Sequence, residues 1–220
     1  MNRLKNKHLS ILCTISLIVF TFLSCVNYWS FNKSFYKNEY KKLNVAEYIG
    51  ISEEDLNKTT DVLLGYIKGN NKTLDIECRI NGITRSVFND REKAHMLDVK
   101  NLYDGAIVVR NVSFVIFVLS FIYIGRSKEL FIGYKYSLSL VGLIIAFLLL
   151  FCLMDFEGFW LAFHQLFFPF NDLYILDPRY DILVMMVPEG FFFDLYVLIV
   201  ASTSVMLVGL YFVLRKFLND

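Results

Sequence analysis

Four long stretches of the chain are almost purely apolar. They cover about residues 9–26, 106–124, 136–154 and 191–214. A helix needs roughly 20 apolar residues to cross about 30 Å of hydrocarbon, and in hydrocarbon every backbone amide must be paired within its own segment. The pattern therefore predicts four transmembrane helices.

Short basic segments beside these spans indicate their orientation, because lysine and arginine near span ends tend to stay in the cytoplasm. With four crossings all three basic clusters fall on one side, whereas residues 155–190 hold six acidic residues and one basic residue. We therefore expect both termini inside the cell, and residues 28–105 and 155–190 outside. The clusters are Arg3, Lys5 and Lys7; Arg126, Lys128 and Lys135; and Arg215 and Lys216.

Charged residues concentrate in one of the two outside segments. Residues 28–105 carry 12 basic and 12 acidic side chains. The sequence thus predicts a mainly α membrane protein with a small extracytoplasmic domain, α-rich or α/β, between spans 1 and 2, and an interfacial segment between spans 3 and 4. The predicted sections are the N-terminus with span 1 (1–27), the extracytoplasmic domain (28–105), spans 2 and 3 with their basic link (106–154), the interfacial segment (155–190), and span 4 with the C-terminus (191–220).

Local patterns within residues 28–105 predict three elements. Ser52, followed by three acidic residues, is a typical helix N-cap, and apolar residues then recur at helical spacing up to residue 67. Residues 73–80 alternate enough for a short strand that ends at Asn81-Gly82, which favours a small hairpin. Asn89 and Asp90 are capping candidates for a last helix that runs towards the second span.

The first apolar stretch has a second interpretation. A basic start, an apolar run and Ser24-Cys25 loosely resemble a lipoprotein signal peptide, in which Cys25 would be lipidated after cleavage. The apolar run is long for a signal, and three further spans already hold the chain in the membrane. Retention as a transmembrane helix is therefore favoured.

Composition narrows the function classes. Apolar residues make up 56% of the chain, above the roughly 45–50% of soluble domains, which argues against a disordered protein. A net charge of +1 leaves no surplus for neutralising nucleic-acid phosphates. The four cysteines show no C-x-x-C spacing, so neither a disulfide scaffold nor a zinc ribbon is expected. The chain carries no nucleophile-elbow, HExxH, P-loop or dinucleotide-binding motif.

Two of the three histidines fall on the predicted outer side. His95 lies one helical turn before Asp98, a spacing that places both on one helix face and would let the carboxylate hold one imidazole nitrogen. His164 lies in the aromatic stretch 156–170, which is short for a span and is expected at the outer interface. Two imidazoles at one interface can divide the roles of proton acceptor and proton donor. The plain alternatives are a surface ion pair for His95 and a snorkelling side chain for His164.

Two ionisable residues stand just inside predicted spans: Arg110 in the second and Asp194 in the fourth. Such residues are costly in hydrocarbon and normally find a partner or face a wet cavity. A pair between them, a lipid phosphate or acyl carbonyl bound by Arg110, and snorkelling to the interface all stay open. A metal site built from both outer histidines and an acid is chemically allowed, but no spacing singles it out.

Two blocks of sequence carry a resemblance to a known family. They read EKAHMLDVKNLYDGA, residues 92–106, and FWLAFHQLFFPFNDLYILDPRYDILVMMVPEGFFFD, residues 159–194. In these blocks, and in length, span number and loop order, the chain resembles the four-span bacterial membrane family of lipoprotein intramolecular transacylases.

The resemblance implies a multi-pass enzyme of the bacterial cell membrane with its active site on the extracytoplasmic face. Its implied substrates are lipoproteins with a diacylglyceryl-modified N-terminal cysteine, handled among membrane lipids without metal, cofactor or nucleic acid. An acyl chain would move from the glyceryl sn-2 oxygen to the α-amine of that cysteine. The positions that match the family's histidine pair are His95 and His164. Supporting or substrate-binding roles are inferred for residues in or beside the blocks: Asp98, Arg110, Asn171, Asp177, Arg179 and Asp181.

The residue types suit this chemistry. An α-ammonium has a pKa of about 8 and must lose a proton before it attacks an ester, and the leaving glyceryl oxygen needs a proton. Amine and ester belong to one molecule, so no covalent acyl-enzyme is required. We expect His95, steered by Asp98, to accept the amine proton and His164 to protonate the oxygen, with the exchanged roles left open. Asn171 and Arg110 are candidate donors to the oxyanion.

Two competing classes stay open on the sequence alone. One is a non-enzymatic membrane subunit whose outer domain binds a partner and whose histidines are structural. The other is a metal-dependent membrane hydrolase that uses the same histidines.

Overall fold

The structure is a computed structural model that describes residues 2–125 and 127–219. In these residues the chain forms nine helices and one antiparallel two-stranded hairpin. The elements are α1 (Asn2–Ser30), α2 (Lys33–Lys42), α3 (Val45–Ile49), α4 (Glu53–Ile67), β1 (Glu77–Ile80), β2 (Ile83–Ser86), α5 (Asp90–Ile124), α6 (Lys128–Met154), α7 (Phe156–Phe167), α8 (Ile182–Met186) and α9 (Glu189–Asn219).

The chain divides into two compact units. The first unit contains the residues up to Ser30, Gly105–Met154 and the residues from Leu195 onwards, and the second contains Phe31–Asp104 and Asp155–Asp194. The two units therefore alternate along the sequence.

Four helices are long and apolar enough to span a membrane, which confirms the prediction of four spans. They are α1, α5, α6 and α9, whose apolar windows have mean hydropathies of 2.4, 2.2, 2.8 and 2.4. Large apolar side chains such as Leu143, Phe147 and Val205 are about 70% exposed, as expected of surfaces that contact lipid. α5 is longer than a span requires. Its residues 90–104 carry seven charged side chains and belong to the second unit, so we take residues 106–124 as its membrane-spanning part.

α1 is continuous through the cysteine at which a lipoprotein signal would be cleaved. It extends to Ser30, and the buried Sγ of Cys25 lies 3.6 Å from Sδ of Met206 in α9. Retention of the first span, rather than cleavage and lipidation at Cys25, stays a prediction.

Small residues bring α1 and α6 close together in the first unit. A Cβ on Gly133 would lie only 3.0 Å from the carbonyl carbon of Ser10, and Thr14 Oγ1 lies 2.8 Å from Ser137 Oγ in a buried hydrogen bond. Close approach at small residues with hydrogen bonds between hydroxyls is the usual basis of helix pairing in lipid, where burial of apolar surface provides little driving force.

An aromatic cluster forms part of the core of the second unit. Phe35, Tyr36 and Tyr40 of α2 surround the fully buried Phe191 at the start of α9, with ring centroids 5.0, 4.9 and 6.4 Å from its ring. The Tyr40 hydroxyl lies 2.8 Å from Oγ1 of Thr60, so the polar end of this buried ring is satisfied.

The local patterns in the second unit gave mostly correct elements. Ser52 caps α4 by accepting a hydrogen bond from Asp55 N at 3.0 Å, and the hairpin turns at Asn81 and Gly82, whose φ angles of 50° and 82° suit a two-residue turn. The predicted strand over 73–80 is too long, because pairing with β2 reaches only from Ile80 to Glu77. The short helices α2, α3 and α8 were not predicted.

The orientation of the spans stays a prediction. Arg126 lies outside the described residues, as do the side chains of Arg3 and Lys5, so part of the basic flank has no structural account.

We expect Gly133→Leu to destabilise the first unit, because its side chain would collide with the backbone of α1 at Ser10. Overpacking of this kind typically costs about 1–3 kcal/mol, which heat unfolding in detergent micelles would detect. The matched control is Gly142→Leu on the same helix, since a Cβ there meets nothing within 4 Å. Equal unfolding temperatures for the two variants would contradict the close packing of α1 and α6.

Candidate active site

α7 places His164 inside the second unit. The helix begins where the Asp155 side chain accepts a hydrogen bond from Gly158 N at 2.9 Å, and it ends at Phe167, shortly before Pro169, because a residue that precedes proline disfavours helical geometry. His164 is buried, and its Nδ1 lies 2.8 Å from the carbonyl oxygen of Trp160. A carbonyl only accepts, so Nδ1 carries the proton and the neutral ring keeps a lone pair on Nε2.

Four aromatic rings surround the His164 imidazole. Trp160 meets it edge-on with centroids 4.6 Å apart, and Tyr174 stacks on it at 5.0 Å. Phe163 and Phe168 lie at 5.6 and 5.8 Å. The ring is therefore held in a mainly apolar environment.

His95 faces the same group of rings from the polar part of α5. Its ring centroid lies 6.0 Å from that of His164 and 5.3 Å from that of Phe168. The side chain is 6% exposed, and its Nδ1 is a buried polar atom without a hydrogen-bond partner. The fold thus brings together the two histidines, which are 69 positions apart in the sequence.

Burial keeps both imidazoles neutral at physiological pH. Desolvation, with a smaller contribution from His164, lowers the pKa of His95 from 6.5 to about 4, although Asp98 opposes this shift. Burial also lowers the pKa of His164, and its hydrogen bond to the Trp160 carbonyl acts in the opposite direction. A neutral imidazole can accept a proton, so both side chains start in the form that a general base requires.

A buried carboxylate ties the start of α5 to the chain that follows α7. Glu92, only 1% exposed, accepts hydrogen bonds from Asn89 N at 2.7 Å and from Leu183 N of α8 at 2.6 Å. Asn89 Oδ1 in turn accepts from Glu92 N at 3.0 Å, which completes a capping box. Glu92 therefore caps two helices at once, three residues before His95.

The predicted contact between Asp98 and His95 is wrong as a hydrogen bond. Asp98 Oδ2 accepts from Asn171 Nδ2 at 2.9 Å instead, and Asn171 Oδ1 accepts from Leu173 N at 3.0 Å. The spacing does place Asp98 on the His95 side of the helix, but a nearby amide donor takes its carboxylate. Asp98 acts on His95 only through its charge.

The three other predicted residues of the second block lie in the loop between α7 and α8. Asp181 is buried and accepts from Asn89 Nδ2 and from Asp177 N, both at 2.7 Å. Asp177 pairs with the exposed Arg179 at 2.6 Å, and this pairing lowers the pKa of the Asp177 carboxyl to about 2. These residues shape the loop, and the histidine rings are not among their partners.

Arg110 belongs to the first unit, whereas the other predicted site residues belong to the second. Its Nε and Nη2 donate to Asn111 Oδ1 at 3.2 and 3.0 Å. Asp194 pairs with Lys42 rather than with Arg110. A substrate contact for Arg110 stays a prediction.

A cavity of about 200 Å³ shares one wall with the histidine pair, because Phe168 both lines it and contacts the two imidazoles. Its polar lining consists of Asp98, Asn101 and Asn171, and its apolar lining of Leu102, Phe167, Phe168 and Phe170. Within residues 2–125 and 127–219, no group of three His, Cys, Asp or Glu side chains could hold a metal ion.

Sequence reasoning missed four contributors to this site. The sequence did contain a signal for Glu92, because Asn89 and Glu92 stand at capping-box spacing. Phe168 and Tyr174 lay among so many aromatic residues that none stood out as a partner of His164. The Trp160 carbonyl is a backbone group, so the side-chain sequence carries no sign of it.

The arrangement has counterparts among known proteins. A family model described as lipoprotein intramolecular transacylase Lit matches residues 11–192. The chain belongs to this family. No curated protein sequence matches it.

Solved structures of the membrane-integral lipoprotein intramolecular transacylase Lit from Bacillus cereus are similar over nearly the whole chain. One shares 22% identity at a TM-score of 0.80, with 96% of each chain covered. A second, a variant with one histidine changed to arginine, shares 21% identity at a TM-score of 0.75, covering 98% of this chain and 94% of the other. At these identities the similarity shows a common fold.

Membership of the Lit family confirms the resemblance carried by the two sequence blocks. The chain is a multi-pass membrane protein and an acyltransferase, and the matched region contains both histidine positions. The roles of individual residues stay predictions.

We expect Glu92→Ala to destabilise the second unit, because it leaves the buried backbone donor of Leu183 without an acceptor and removes the cap that Glu92 provides at Asn89 N. The unsatisfied buried donor costs about 1–3 kcal/mol and the lost cap about 0.5–2 kcal/mol, so unfolding in detergent should become easier by about 2–5 kcal/mol, with faster hydrogen exchange at the start of α8. The control is Glu77→Ala, an exposed acid on β1. If Glu92→Ala unfolds like the control, the carboxylate does not hold the two segments together.

Proposed function

We propose that the chain moves an acyl chain within a bacterial lipoprotein, from the glyceryl sn-2 oxygen of a diacylglyceryl-modified N-terminal cysteine to the α-amine of the same cysteine, with His95 and His164 transferring the protons. The observation that carries this proposal is the 6.0 Å separation of two buried, neutral imidazoles. The family name supports the substrate class, because it describes a lipoprotein intramolecular transacylase.

The reaction forms one bond between the amine nitrogen and the acyl carbon and breaks the bond between that carbon and the glyceryl oxygen. The α-ammonium loses one proton before attack and a second as the amide forms, while the departing oxygen gains one. Each turnover from the ammonium form therefore releases one proton overall. One imidazole that accepts the amine proton and one that donates a proton to the glyceryl oxygen are enough for the proton transfers at the reacting atoms.

The hydrogen bonds favour the exchanged assignment of the two histidines. His164 donates Nδ1–H to the Trp160 carbonyl, which leaves Nε2 as a lone-pair acceptor for the amine proton. His95 has no partner on Nδ1 and a pKa of about 4, so a proton placed on it is readily given up. Both rings are neutral at rest, so the donor must first receive a proton. We therefore assign His164 as the base, and the proton that it takes from the amine passes to His95 and from there to the glyceryl oxygen.

The aromatic surroundings support an intramolecular transfer rather than hydrolysis. Rings at 4.6 to 5.8 Å around His164 limit the space for water, which would compete with the amine for the ester. Holding amine and ester of one molecule in reacting geometry can provide an effective concentration of about 10⁵ M or more. The protein then needs to supply orientation and proton transfer, but no covalent nucleophile.

The site is proposed to face the extracytoplasmic side of the membrane. The support comes from the sequence: the basic segments flank the predicted inner ends of the spans, and residues 28–105 and 155–190, which hold both histidines, lie between the outer ends. Substrate lipids of the outer leaflet would then have access to the second unit.

We expect His164→Phe and His95→Phe each to lower the rate of acyl transfer by about 10²–10⁴-fold, the usual contribution of an acid or base, while a ring still fills each position. Mass spectrometry of lipoprotein N-termini from cells without other N-acylating activity would detect the product, and purified protein would give initial rates. His8→Phe, which changes the exposed third histidine, is the matched control.

Full production of the N-acylated, lyso-glyceryl form by either variant would remove that histidine from the mechanism. Loss of activity in the His8 variant as well would mean that the effect is not specific to the pair.

We expect the Glu54→Cys variant to react with a membrane-impermeant maleimide in intact spheroplasts, and the Lys128→Cys variant to react only after permeabilisation. Glu54 is 80% exposed in the second unit and Lys128 is exposed at the start of α6. Background should be low, because all four native cysteines are buried. The reverse pattern would place the second unit in the cytoplasm and contradict the proposed face.

A further inference from the structure

The cavity beside the histidine pair has a distinctive charge distribution. Among the residues that line it, Asp98 is the only charged one, and the polar neighbours Asn101 and Asn171 carry neutral amides. Opposite them the lining is apolar and includes Phe170, which is 96% exposed. Asp98 is half-buried next to phenylalanine side chains, and a carboxylate that loses part of its contact with water favours a cationic partner.

The protein itself uses only part of that carboxylate. Oδ2 accepts from Asn171 Nδ2, and the Asn171 amide is oriented by its second bond, from Leu173 N. Among the described residues, Oδ1 of Asp98 accepts no hydrogen bond, and the structure provides no lysine or arginine as an ion-pair partner. Because the hydrogen bond to Oδ2 orients the carboxylate, Oδ1 of Asp98 is left to accept a hydrogen bond from a ligand.

The position of the cavity relates it to the reacting groups. Asp98 follows His95 by one turn of α5, and Phe168 is shared between the cavity and both imidazoles. Its volume of about 200 Å³ is below the roughly 300–1,000 Å³ of sites for drug-sized molecules. It therefore suits a small polar part of a substrate rather than an acyl chain.

We propose that this cavity binds the α-ammonium group of the lipidated cysteine before transfer, with Asp98 Oδ1 as its acceptor. Neither imidazole lines the cavity, so the amine leaves it for the histidine pair when it gives up its proton. This inference rests on the proposed function and adds a recognition step to it. The site accepts substrates whose N-terminus is free and charged and discriminates against those already N-acylated, because an amide nitrogen carries no charge. The product loses the ion pair as it forms, which favours its release.

The test measures binding without turnover. The probes are two synthetic diacylglyceryl-type lipopeptides in bicelles, both with ether bonds in place of the esters, one with a free α-amine and one N-acetylated. We expect wild-type protein to bind the free-amine probe roughly ten- to hundredfold more tightly, the range typical of a hydrogen bond to a charged group. The preference should decline as pH rises above about 8, where the amine loses its charge.

Two variants locate the effect. Asp98→Asn keeps the side-chain size and the acceptor for Asn171 and should reduce the preference to about twofold or less, with a larger change in KM than in kcat for ester substrates. Asp104→Asn is the matched control, since Asp104 lies on the same helix, pairs with Lys100 and is absent from the cavity lining. It should keep the full preference. Asp98→Glu should restore part of it.

The outcomes separate this inference from the proposed function. Wild-type protein that transfers acyl chains but binds both probes equally overturns the ammonium site alone, as does an unchanged preference in Asp98→Asn. Absence of acyl transfer by wild-type protein overturns the proposed function instead. If Asp98→Asn fails to fold, the pH dependence of the wild-type preference decides the question, because a preference that is constant from pH 6 to 10 contradicts recognition of a charged amine.

Discussion

The geometry of the histidine pair depends on how the polar part of α5 is joined to the chain after α7. His95 and His164 lie on separate helices, and little covalent constraint links them. Glu92 accepts backbone amides from both segments, Asn89 reaches Asp181, and Asp98 accepts from Asn171. Each bond uses a side chain of residues 89–98 and a partner in or next to the loop between α7 and α8, or at the start of α5 itself. The bond from Leu183 N to Glu92 is buried and therefore costly to lose, and together these bonds hold the two segments that carry the imidazoles.

Within a few residues of α5, some side chains need polar partners and others need apolar surroundings. The junction requires charged side chains, whereas the histidines require surroundings dry enough to keep them neutral. The helix periodicity separates these demands, since Glu92, His95 and Asp98 recur at three-residue intervals and each meets a different neighbour: backbone amides, aromatic rings and an asparagine. The imidazoles are neutral here because burial outweighs the opposing charge of Asp98. The bond from Asn171 explains why Asp98 does not accept a hydrogen bond from His95, although its spacing on the helix suggested one.

Much of this architecture was predictable from the sequence. Apolar stretches of span length have few interpretations, and capping residues such as Ser52 and turn residues such as Asn81-Gly82 encode local geometry directly. The two histidine blocks indicated the family and the pair. The sequence did not indicate which of several nearby groups a polar side chain would contact. Asp98 could face either His95 or a loop 73 residues away, and only the folded chain decides between them. The short helices α2, α3 and α8 also escaped prediction, because five to ten residues carry too little periodicity, and tertiary packing such as that of Phe35, Tyr36 and Tyr40 on Phe191 stabilises such segments.

The bond between His164 and the Trp160 carbonyl has an evolutionary consequence. Its acceptor is main chain, four residues earlier on the same helix, and it is present whichever side chain occupies that position. Selection can therefore replace the indole with another ring that packs on the imidazole without disturbing the tautomer of the imidazole. A saturation mutagenesis screen at position 160 would therefore report only on the packing of its ring, because every variant keeps the main-chain acceptor that holds the imidazole proton.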